Sequence, residues 1–400
     1  MTLSVQDILA PGGLIAENLD SYEPRAEQLD MALAVAEGFE ARRHLLAEAG
    51  TGVGKSFAYL VPAILQAAQH SRRVIISTYT IALQEQLIEK DIPFLSKILP
   101  VEFSAVLGKG RTNYVCFRRL SMAINSKGKL FADETKLDML ESVAHWAMDT
   151  SDGSMQDIDF AINPDVWRAI RAESGLCSGA KCEHYGPCHF RRARRQMLKA
   201  DILIVNHAMF FSDLAMKAEE LAFLGDYDMV VLDEAHTVEQ VAGDHFGRSV
   251  SWSMIRFLLR DLYNPKTDRG IVTMVPGGDA IDAVNRVESA AESFFTELSA
   301  YRGPNIAGNG RISNPEVVPN NLTPALEKLG ETLTGLRSKT ESDDHRLELL
   351  TCQQRAEEMA SKLDALISQT RPDHAYWVAS RKGHRGRPSK IGRASCRERV

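Results

Sequence analysis

The chain has 400 residues, of which 44% are hydrophobic, 25% charged and 7% aromatic. This length allows two or three units with buried cores, and the composition excludes a wholly disordered chain, collagen and coiled-coil fibre. The net charge of −6 argues against a protein that coats duplex DNA by bulk charge, so any nucleic-acid site would be a local groove.

Membrane insertion and secretion are not predicted. The longest nearly apolar stretch, residues 58–68, is interrupted by Gln66 and has about half the length of a membrane span. The N-terminal residues include Asp7 and lack a basic region before an apolar one, unlike a signal peptide. We therefore expect a cytoplasmic protein, in which six cysteines more often bind a metal than form disulfides.

Short apolar runs alternate with helical patterns in the first part of the chain. The predicted strands are residues 45–47, 74–77, 103–107, 202–205 and 229–232. The predicted helices are residues 31–40, 56–69 and 81–87. Pro62 predicts that the second helix is kinked or starts late. Strands that alternate with helices indicate an α/β fold with a parallel, doubly wound sheet.

Two other regions differ from this pattern. Residues 116–199 are more polar and indicate an insertion into the sheet domain, whereas residues 243–376 are mainly helical around a loop at residues 305–321. The longest predicted helices are residues 280–298 and 344–369. In the latter, apolar side chains recur every three or four residues: Leu349, Cys352, Ala356, Met359, Leu363 and Leu366. This stripe predicts helix packing in a core, with a partner interface as the alternative.

A phosphate-binding loop is predicted at Ala49-Gly-Thr-Gly-Val-Gly-Lys-Ser56, between an apolar run and a helical pattern. Its members are Gly50, Thr51, Gly52, Val53, Gly54, Lys55 and Ser56. The glycines allow backbone N–H groups to face phosphate oxygens, and the helix N-terminus adds positive partial charge. Lys55 would reach the β and γ phosphates and Ser56 would bind Mg²⁺. Ala49 replaces the usual first glycine, and an ordinary glycine-rich loop is the alternative.

The segment Asp228-Met-Val-Val-Leu-Asp-Glu-Ala-His236 predicts the second half of a nucleotide site. Its apolar residues form a strand that ends at Asp233, which would hold Mg²⁺ directly or through water. Glu234 would polarise the attacking water, and His236 would link the nucleotide state to a nucleic-acid surface. An exposed acidic turn is the alternative.

Four cysteines form a candidate metal site: Cys116, Cys177, Cys182 and Cys188. One distant thiolate with three grouped ones fits a [4Fe–4S] cluster better than structural zinc, whose ligands usually come in close pairs. Zinc, with His184 or His189 as a further ligand, and free thiols are the alternatives. Cys352 lies in the helical stripe and is predicted to be a buried small hydrophobe.

These motifs, in this order, resemble those of superfamily 2 helicases, and within them the DinG/XPD family of iron–sulfur DNA helicases, most closely its bacterial DinG-type members. The resemblance extends from residue 20 to about residue 380. It includes Ser77-Thr-Tyr-Thr-Ile-Ala-Leu-Gln-Glu-Gln86, Gly108-Lys-Gly-Arg-Thr-Asn-Tyr-Val-Cys116 and Val205-Asn-His-Ala208. Tyr22, Arg25 and Gln28 match the family's adenine-reading segment.

The resemblance implies a RecA-like motor domain at residues 1–110 and 200–242, an iron–sulfur cluster insertion at 111–199 and a helical arch at 243–380. It implies ATP, Mg²⁺ and a [4Fe–4S] cluster as cofactors. It also implies a monomer, with single-stranded DNA and forked or other duplex junctions as its partners. Lys55, Asp233, Glu234 and His236 would be catalytic. The expected DNA contacts are Thr78, Arg111, Tyr114, Arg191 and Arg192.

The sequence departs from the family pattern near its end. We find no Ser-Ala-Thr or Gln-x-x-Gly-Arg-x-x-Arg motif, so the second motor domain and its arginine finger are missing. Residues 391–400 resemble a translated sequencing adapter, which predicts a gene fragment with an artefactual tail. We expect the intact protein to be an ATP-dependent 5′-to-3′ DNA helicase in repair or replication, and this fragment to be inactive. The alternative is a non-motor module that binds ATP and single-stranded DNA.

Overall fold

The computed structural model describes residues 3–19, 22–126, 131, 133–217, 221–277, 279–301, 310–370, 374–382 and 388–396. The chain divides into two compact units. The first unit contains Met1–Gly110 and Arg191–His245, and the second contains Arg111–Phe190 and Phe246–Val400.

A four-stranded parallel sheet forms the centre of the first unit. Its strands are β1 (Val74–Thr78), β2 (Ala105–Leu107), β3 (Ile202–Asn206) and β4 (Met229–Leu232), in the order β2, β3, β1, β4. Val74 lies opposite both Ile202 and Met229, so β1, β3 and β4 end at the same edge of the sheet. The residues of β1 are all buried, as expected for a parallel strand covered on both faces. The predicted α/β fold with a parallel sheet is confirmed.

Helices surround this sheet. Those of the first unit are Val5–Leu9, Leu14–Asn18, Ala26–Glu40, Lys55–His70, Ile81–Gln86, Ile92–Ile98 and His207–Lys217. A π turn, Leu87–Asp91, joins two of them into one continuous helical segment. Helices His189–Lys199 and Val238–Phe246 contain the boundaries between the two units. Of the two outcomes predicted from Pro62, a kink or a late start, the late start is wrong, because Lys55–His70 begins directly after Gly54 and includes Pro62. The kink stays a prediction.

Residues 45–47 do not form the predicted strand. Leu46 is 93% exposed, and β4 is an edge strand of the parallel sheet. A strand requires a neighbour that accepts and donates its backbone hydrogen bonds. Residues 45–47 do not pair with the outer edge of β4 in the described sheet, so three apolar residues alone are not sufficient to form a strand here.

The second unit is mainly helical. Its helices are Phe117–Asn125, Glu134–Asp149, Pro164–Ile170, Trp252–Leu262, Asp279–Ala300, Leu322–Ser338 and Asp343–Ser368. The predicted stripe on Asp343–Ser368 packs into the core, with five of its six members buried and Met359 partly buried. The stripe is therefore a packing surface, as predicted.

A small antiparallel sheet completes the second unit, and the sequence reading did not anticipate it. Its strands are β5 (Arg248–Ser251), β6 (Arg311–Ile312), β7 (His374–Lys382) and β8 (Pro388–Cys396), in the order β5, β8, β7, β6. Of the predicted loop 305–321 and the predicted tail 391–400, residues 305–309 and 397–400 lie outside the described residues. A search of the described helices finds none with the length and apolarity that membrane crossing requires.

Candidate nucleotide site

The predicted phosphate-binding loop turns through two glycines with left-handed backbone. Gly52 has φ +86° and Gly54 has φ +84°, a region that residues with a Cβ rarely adopt. A Cβ on Gly54 would also lie 2.0 Å from Nε2 of Gln28. Gly50 and Thr51 are exposed, whereas Val53 is partly buried. Part of the loop backbone is therefore accessible to solvent. The end of the loop, at Gly54, packs against the buried side chain of Gln28.

That buried side chain is Gln28. Its Nε2 donates to the carbonyl of Gly54 at 2.9 Å, and its Oε1 accepts from the Tyr22 hydroxyl at 2.6 Å. Both ends of the amide are thus occupied, and only 4% of the residue is exposed. In this geometry Gln28 supports the loop, and its contact with adenine stays a prediction. Arg25, the other predicted adenine contact, is exposed at 3.7 Å from Glu23.

Lys55 is the first residue of helix Lys55–His70, and its side chain extends back toward Ala49, the first residue of the loop. Its Nζ lies 3.5 Å from the carbonyl of Ala49 and 3.8 Å from Oε1 of Glu234. Both side chains are about one-third exposed, so water weakens this ion pair. The contact brings together the two segments that the sequence predicted to form one site.

Asp233 follows β4 at the edge where the parallel strands end. Its backbone N–H donates to Ser77 at 2.9 Å, and its Oδ2 accepts from the Tyr59 hydroxyl at 3.2 Å. Burial raises the pKa of Asp233, while the hydrogen bond from Tyr59 acts to lower it. Burial also raises the pKa of Tyr59, which keeps its proton available for that bond. Asp233 is 9% exposed and is therefore held in one position.

The two residues after Asp233 that were predicted to act in catalysis are more exposed. Glu234 has φ +53°, a left-handed conformation that is uncommon for a residue with a Cβ. Its Oε2 lies 3.4 Å from Nδ1 of His236, whose side chain is 75% exposed. This turn directs the Glu234 carboxylate toward Lys55 and leaves His236 at the surface.

Ser56 and Asp233 have the chemistry that Mg²⁺ requires. Hydroxyl and carboxylate oxygens are hard ligands, and Mg²⁺ usually keeps several waters beside one or two protein groups. The Tyr59 hydroxyl donates to Asp233, and Ser56 lies three residues before Tyr59 in helix Lys55–His70. Helical spacing therefore places Ser56 on the face of the helix that contacts Asp233, and these two oxygen-bearing side chains fit a hydrated Mg²⁺.

Two residues of this site escaped prediction from the sequence. Tyr59 lies four residues after Lys55, so helical spacing places both on one face, and this spacing could have indicated it. His207 follows β3, and its Nδ1 lies 2.7 Å from the Ser77 hydroxyl. Burial lowers the pKa of His207, which favours the neutral ring. This buried pair fixes the ends of β1 and β3 beside Asp233.

The four candidate cysteines lie in the second unit and are not gathered into a site. Cys116 is the N-cap residue of helix Phe117–Asn125, and burial raises its pKa. Cys177 is exposed, and Cys182 and Cys188 are partly buried. Within the described part of the chain, no three Cys, His, Asp or Glu side chains are arranged to hold a metal. Support for a cluster therefore comes from the sequence spacing.

Three of the predicted DNA contacts have positions that limit this role. Thr78 is buried, and its hydroxyl donates to the carbonyl of Thr80 at 3.4 Å. Tyr114 is 1% exposed and packs against Phe190, so its ring offers no face to a base and the predicted stacking is not supported. The Arg111 guanidinium lies 4.4 Å from the centre of the Phe190 ring.

The remaining predicted DNA contacts, Arg191 and Arg192, belong to helix His189–Lys199 and are partly exposed.

The chain resembles known helicases. Residues 28–161 match the family model described as DEAD/DEAH box helicase. The chain is 29% identical to "ATP-dependent DNA helicase YoaA" of Escherichia coli K12 over 94% of its length and 57% of the relative's. It is 34% identical to "ATP-dependent DNA helicase DinG" of the same strain over 58% of its length and 34% of the relative's. A solved structure titled "Truncated XPD" has a TM-score of 0.40 and 15% identity, covering 83% of this chain and 81% of that one.

The chain thus covers between about one-third and somewhat over half of the length of these two relatives. The two nucleotide-site segments, Ala49–Ser56 of the loop and Asp233–His236 after β4, occur in the order typical of helicase motors. With the family match over residues 28–161 and the relatives named YoaA and DinG, they show that the chain is similar to DEAD/DEAH box helicases of the DinG type.

Proposed function

We propose that this chain is the ATP-binding part of an ATP-dependent DNA helicase. The observation that supports this most directly is the approach of Lys55 to Glu234 beside the buried Asp233, at the edge where parallel strands end. Lysine, a metal-binding carboxylate and a second carboxylate are the groups that phosphoryl transfer to water needs.

Each residue has a defined task in this proposal. The backbone N–H groups of the loop would bind phosphate oxygens, and Ser56 and Asp233 would hold Mg²⁺, which would supply positive charge to the phosphates. Lys55 leaves Glu234 when it binds the β and γ phosphates. The freed Glu234 carboxylate then orients the attacking water.

The finer parts of the proposal rest on the sequence resemblance. They are 5′-to-3′ movement on single-stranded DNA, action at forks and junctions in DNA repair or replication, a monomeric state and a cytoplasmic location. They also include an iron–sulfur insertion at residues 111–199 and an arch at 243–380. A second motor domain from outside these 400 residues would supply the arginine finger, so the chain alone would hydrolyse little ATP and unwind no DNA.

Nucleotide binding tests the central claim. We expect the chain to bind ATP with Mg²⁺, and Lys55→Ala to weaken binding at least about tenfold, since it removes a charged hydrogen-bond donor to phosphate. Lys90→Ala, at an exposed site of the first unit, is the matched control and should bind as the unsubstituted chain does. Equal affinity in Lys55→Ala would contradict the assignment. Strong DNA-stimulated hydrolysis by the chain alone would contradict the need for a second motor domain.

Iron and sulfide analysis tests the cluster. After anaerobic purification we expect about four of each per chain, the composition of a [4Fe–4S] cluster. Cys177→Ser should lose both, whereas Cys352→Ser, at a cysteine buried in the helical core, should keep them. Zinc in place of iron would contradict the cluster but leave the nucleotide site unaffected.

A further inference from the structure

Tyr59 has a hydroxyl group that the packing of its helix does not require. The residue lies on helix Lys55–His70, is 2% exposed, and belongs to the hydrophobic core of the first unit. A phenylalanine would fill almost the same volume without a polar atom, and a buried hydroxyl is costly unless it is hydrogen-bonded. The Tyr59 hydroxyl donates to Oδ2 of Asp233 at 3.2 Å. Its effect on Asp233 therefore gives a reason for a tyrosine at this position.

The Asp233 carboxylate accepts hydrogen bonds at both of its oxygens. Oδ2 accepts from Tyr59, and Oδ1 accepts from the backbone N–H of Glu234 at 3.0 Å. The backbone N–H of Asp233 donates to the Ser77 carbonyl at 2.9 Å, so the main chain of Asp233 is held as well. Each carboxylate oxygen keeps a further lone pair, because an ionised carboxyl group has about four acceptor positions. The hydrogen bonds therefore orient the group and still leave it able to bind a cation.

The hydrogen bond from Tyr59 limits how freely this carboxylate can rotate about its Cβ–Cγ bond. Ca²⁺ takes about six to eight oxygen ligands and binds a carboxylate through one oxygen or both, whereas Mg²⁺ requires a nearly ideal octahedron and keeps several waters. Selectivity between the two ions depends on the number and the flexibility of the ligands. A carboxylate in a fixed orientation thus favours Mg²⁺, and one that rotates more freely accommodates Ca²⁺ as well.

We propose that Tyr59 is a positioning residue that makes the ATP site selective for Mg²⁺ over Ca²⁺, because its hydrogen bond fixes the orientation of the Asp233 carboxylate. This inference rests on the proposed function, since it assumes that Asp233 binds the metal that accompanies ATP. It assigns metal selectivity to a buried side chain of the helix that follows the phosphate-binding loop.

The metal dependence of ATP affinity distinguishes this role from a merely structural one. We would titrate ATP into the 400-residue chain by calorimetry with Mg²⁺, with Ca²⁺ and with a chelator. Tyr59→Phe should weaken Mg²⁺–ATP binding about fivefold, as expected for the loss of one hydrogen bond, and leave metal-free binding nearly unchanged. Ca²⁺–ATP binding should weaken less than about twofold, because Ca²⁺ tolerates a carboxylate that rotates.

Two other tyrosines of the first unit provide matched controls. Tyr22→Phe removes the hydroxyl that donates to Gln28 at 2.6 Å. It should weaken ATP binding by the same factor under all three conditions, because Gln28 supports the loop and not the metal. Tyr227 precedes β4, whereas Asp233 follows it, so Tyr227 lies at the opposite end of the strand. Tyr227→Phe should change none of the three affinities.

A double variant shows whether Tyr59 acts through Asp233. Tyr59→Phe/Asp233→Ala should bind Mg²⁺–ATP no more weakly than Asp233→Ala alone, because residues that act through one bond are not additive. Circular dichroism of each variant establishes that it is folded.

Different results would overturn different claims. The role of Tyr59 alone would be overturned if Tyr59→Phe lost at least as much affinity with Ca²⁺ as with Mg²⁺, or if its effect added to that of Asp233→Ala. A Tyr59→Phe chain that does not fold would also overturn it, because the hydroxyl would then be required for folding. An unsubstituted chain that does not bind Mg²⁺–ATP would overturn the proposed function and this inference with it.

Discussion

Gln28 shows how one buried side chain can connect two parts of a site. Its amide joins the Tyr22 hydroxyl to the carbonyl of Gly54, whose left-handed backbone ends the phosphate-binding loop. The sequence pattern predicts that this residue contacts adenine, and the structure adds its contact with the loop. The sequence order does not show this second contact, because it does not show in which direction a glutamine at the start of a helix points.

Replacement of Gln28 tests these two roles. We expect Gln28→Ala to weaken the binding of ATP and GTP by the same factor, about fivefold, since it removes one support of a loop that contacts only phosphates. The measurement is the affinity for both nucleotides with Mg²⁺, and Gln69→Ala, on helix Lys55–His70, is a control. A loss restricted to ATP would show that Gln28 reads the base instead.

At the scale of elements, the sequence predicted those helices and strands whose formation depends on the local pattern of apolar residues. The long helices and strands β1, β3 and β4 lie where their periodicity and apolar runs placed them. Residues 45–47 were predicted incorrectly because strand formation depends on a neighbour that is distant in sequence.

Ion pairs also connect elements that are distant in sequence. Asp261 takes part in such pairs, and its pKa is strongly shifted. It belongs to helix Trp252–Leu262 and lies 3.7 Å from Arg168 and 3.4 Å from Arg355. Burial outweighs the attraction of both arginines and, with the nearby Glu173, raises the pKa of Asp261 to about 6. The folded protein therefore holds this proton at a higher pH than the unfolded chain does.

This pKa predicts how stability changes with pH. The contribution of Asp261 to the free energy of unfolding is fully present below about pH 4 and is lost as the pH rises through about 6. The shift from 3.8 to about 6 corresponds to about 3 kcal/mol. We expect Asp261→Asn to remove this part of the pH dependence of the free energy of unfolding, as measured by urea denaturation at pH values between about 4 and 6. Asp364→Asn, at an exposed site, should keep it, and an unchanged slope in Asp261→Asn would contradict the shifted pKa.

At the scale of the whole molecule, each unit has its own hydrophobic core. In the first unit, apolar side chains of helix Lys55–His70 pack with those of β1 and β3. In the second, helices Asp279–Ala300, Leu322–Ser338 and Asp343–Ser368 share a separate cluster. A unit with its own core can unfold cooperatively by itself.

The two cores predict two thermal transitions that respond to different changes. ATP with Mg²⁺ should raise the transition temperature of the first unit only. At a ligand concentration 100 times the dissociation constant, the free energy of unfolding of this unit should rise by about 2.7 kcal/mol. Asp261→Asn should change the transition temperature of the second unit only. Calorimetry with and without nucleotide measures both effects, and Lys55→Ala is the control that should lose the response to ATP. A single transition that both changes shift would contradict independent units, because nucleotide binding would then stabilise one cooperative structure.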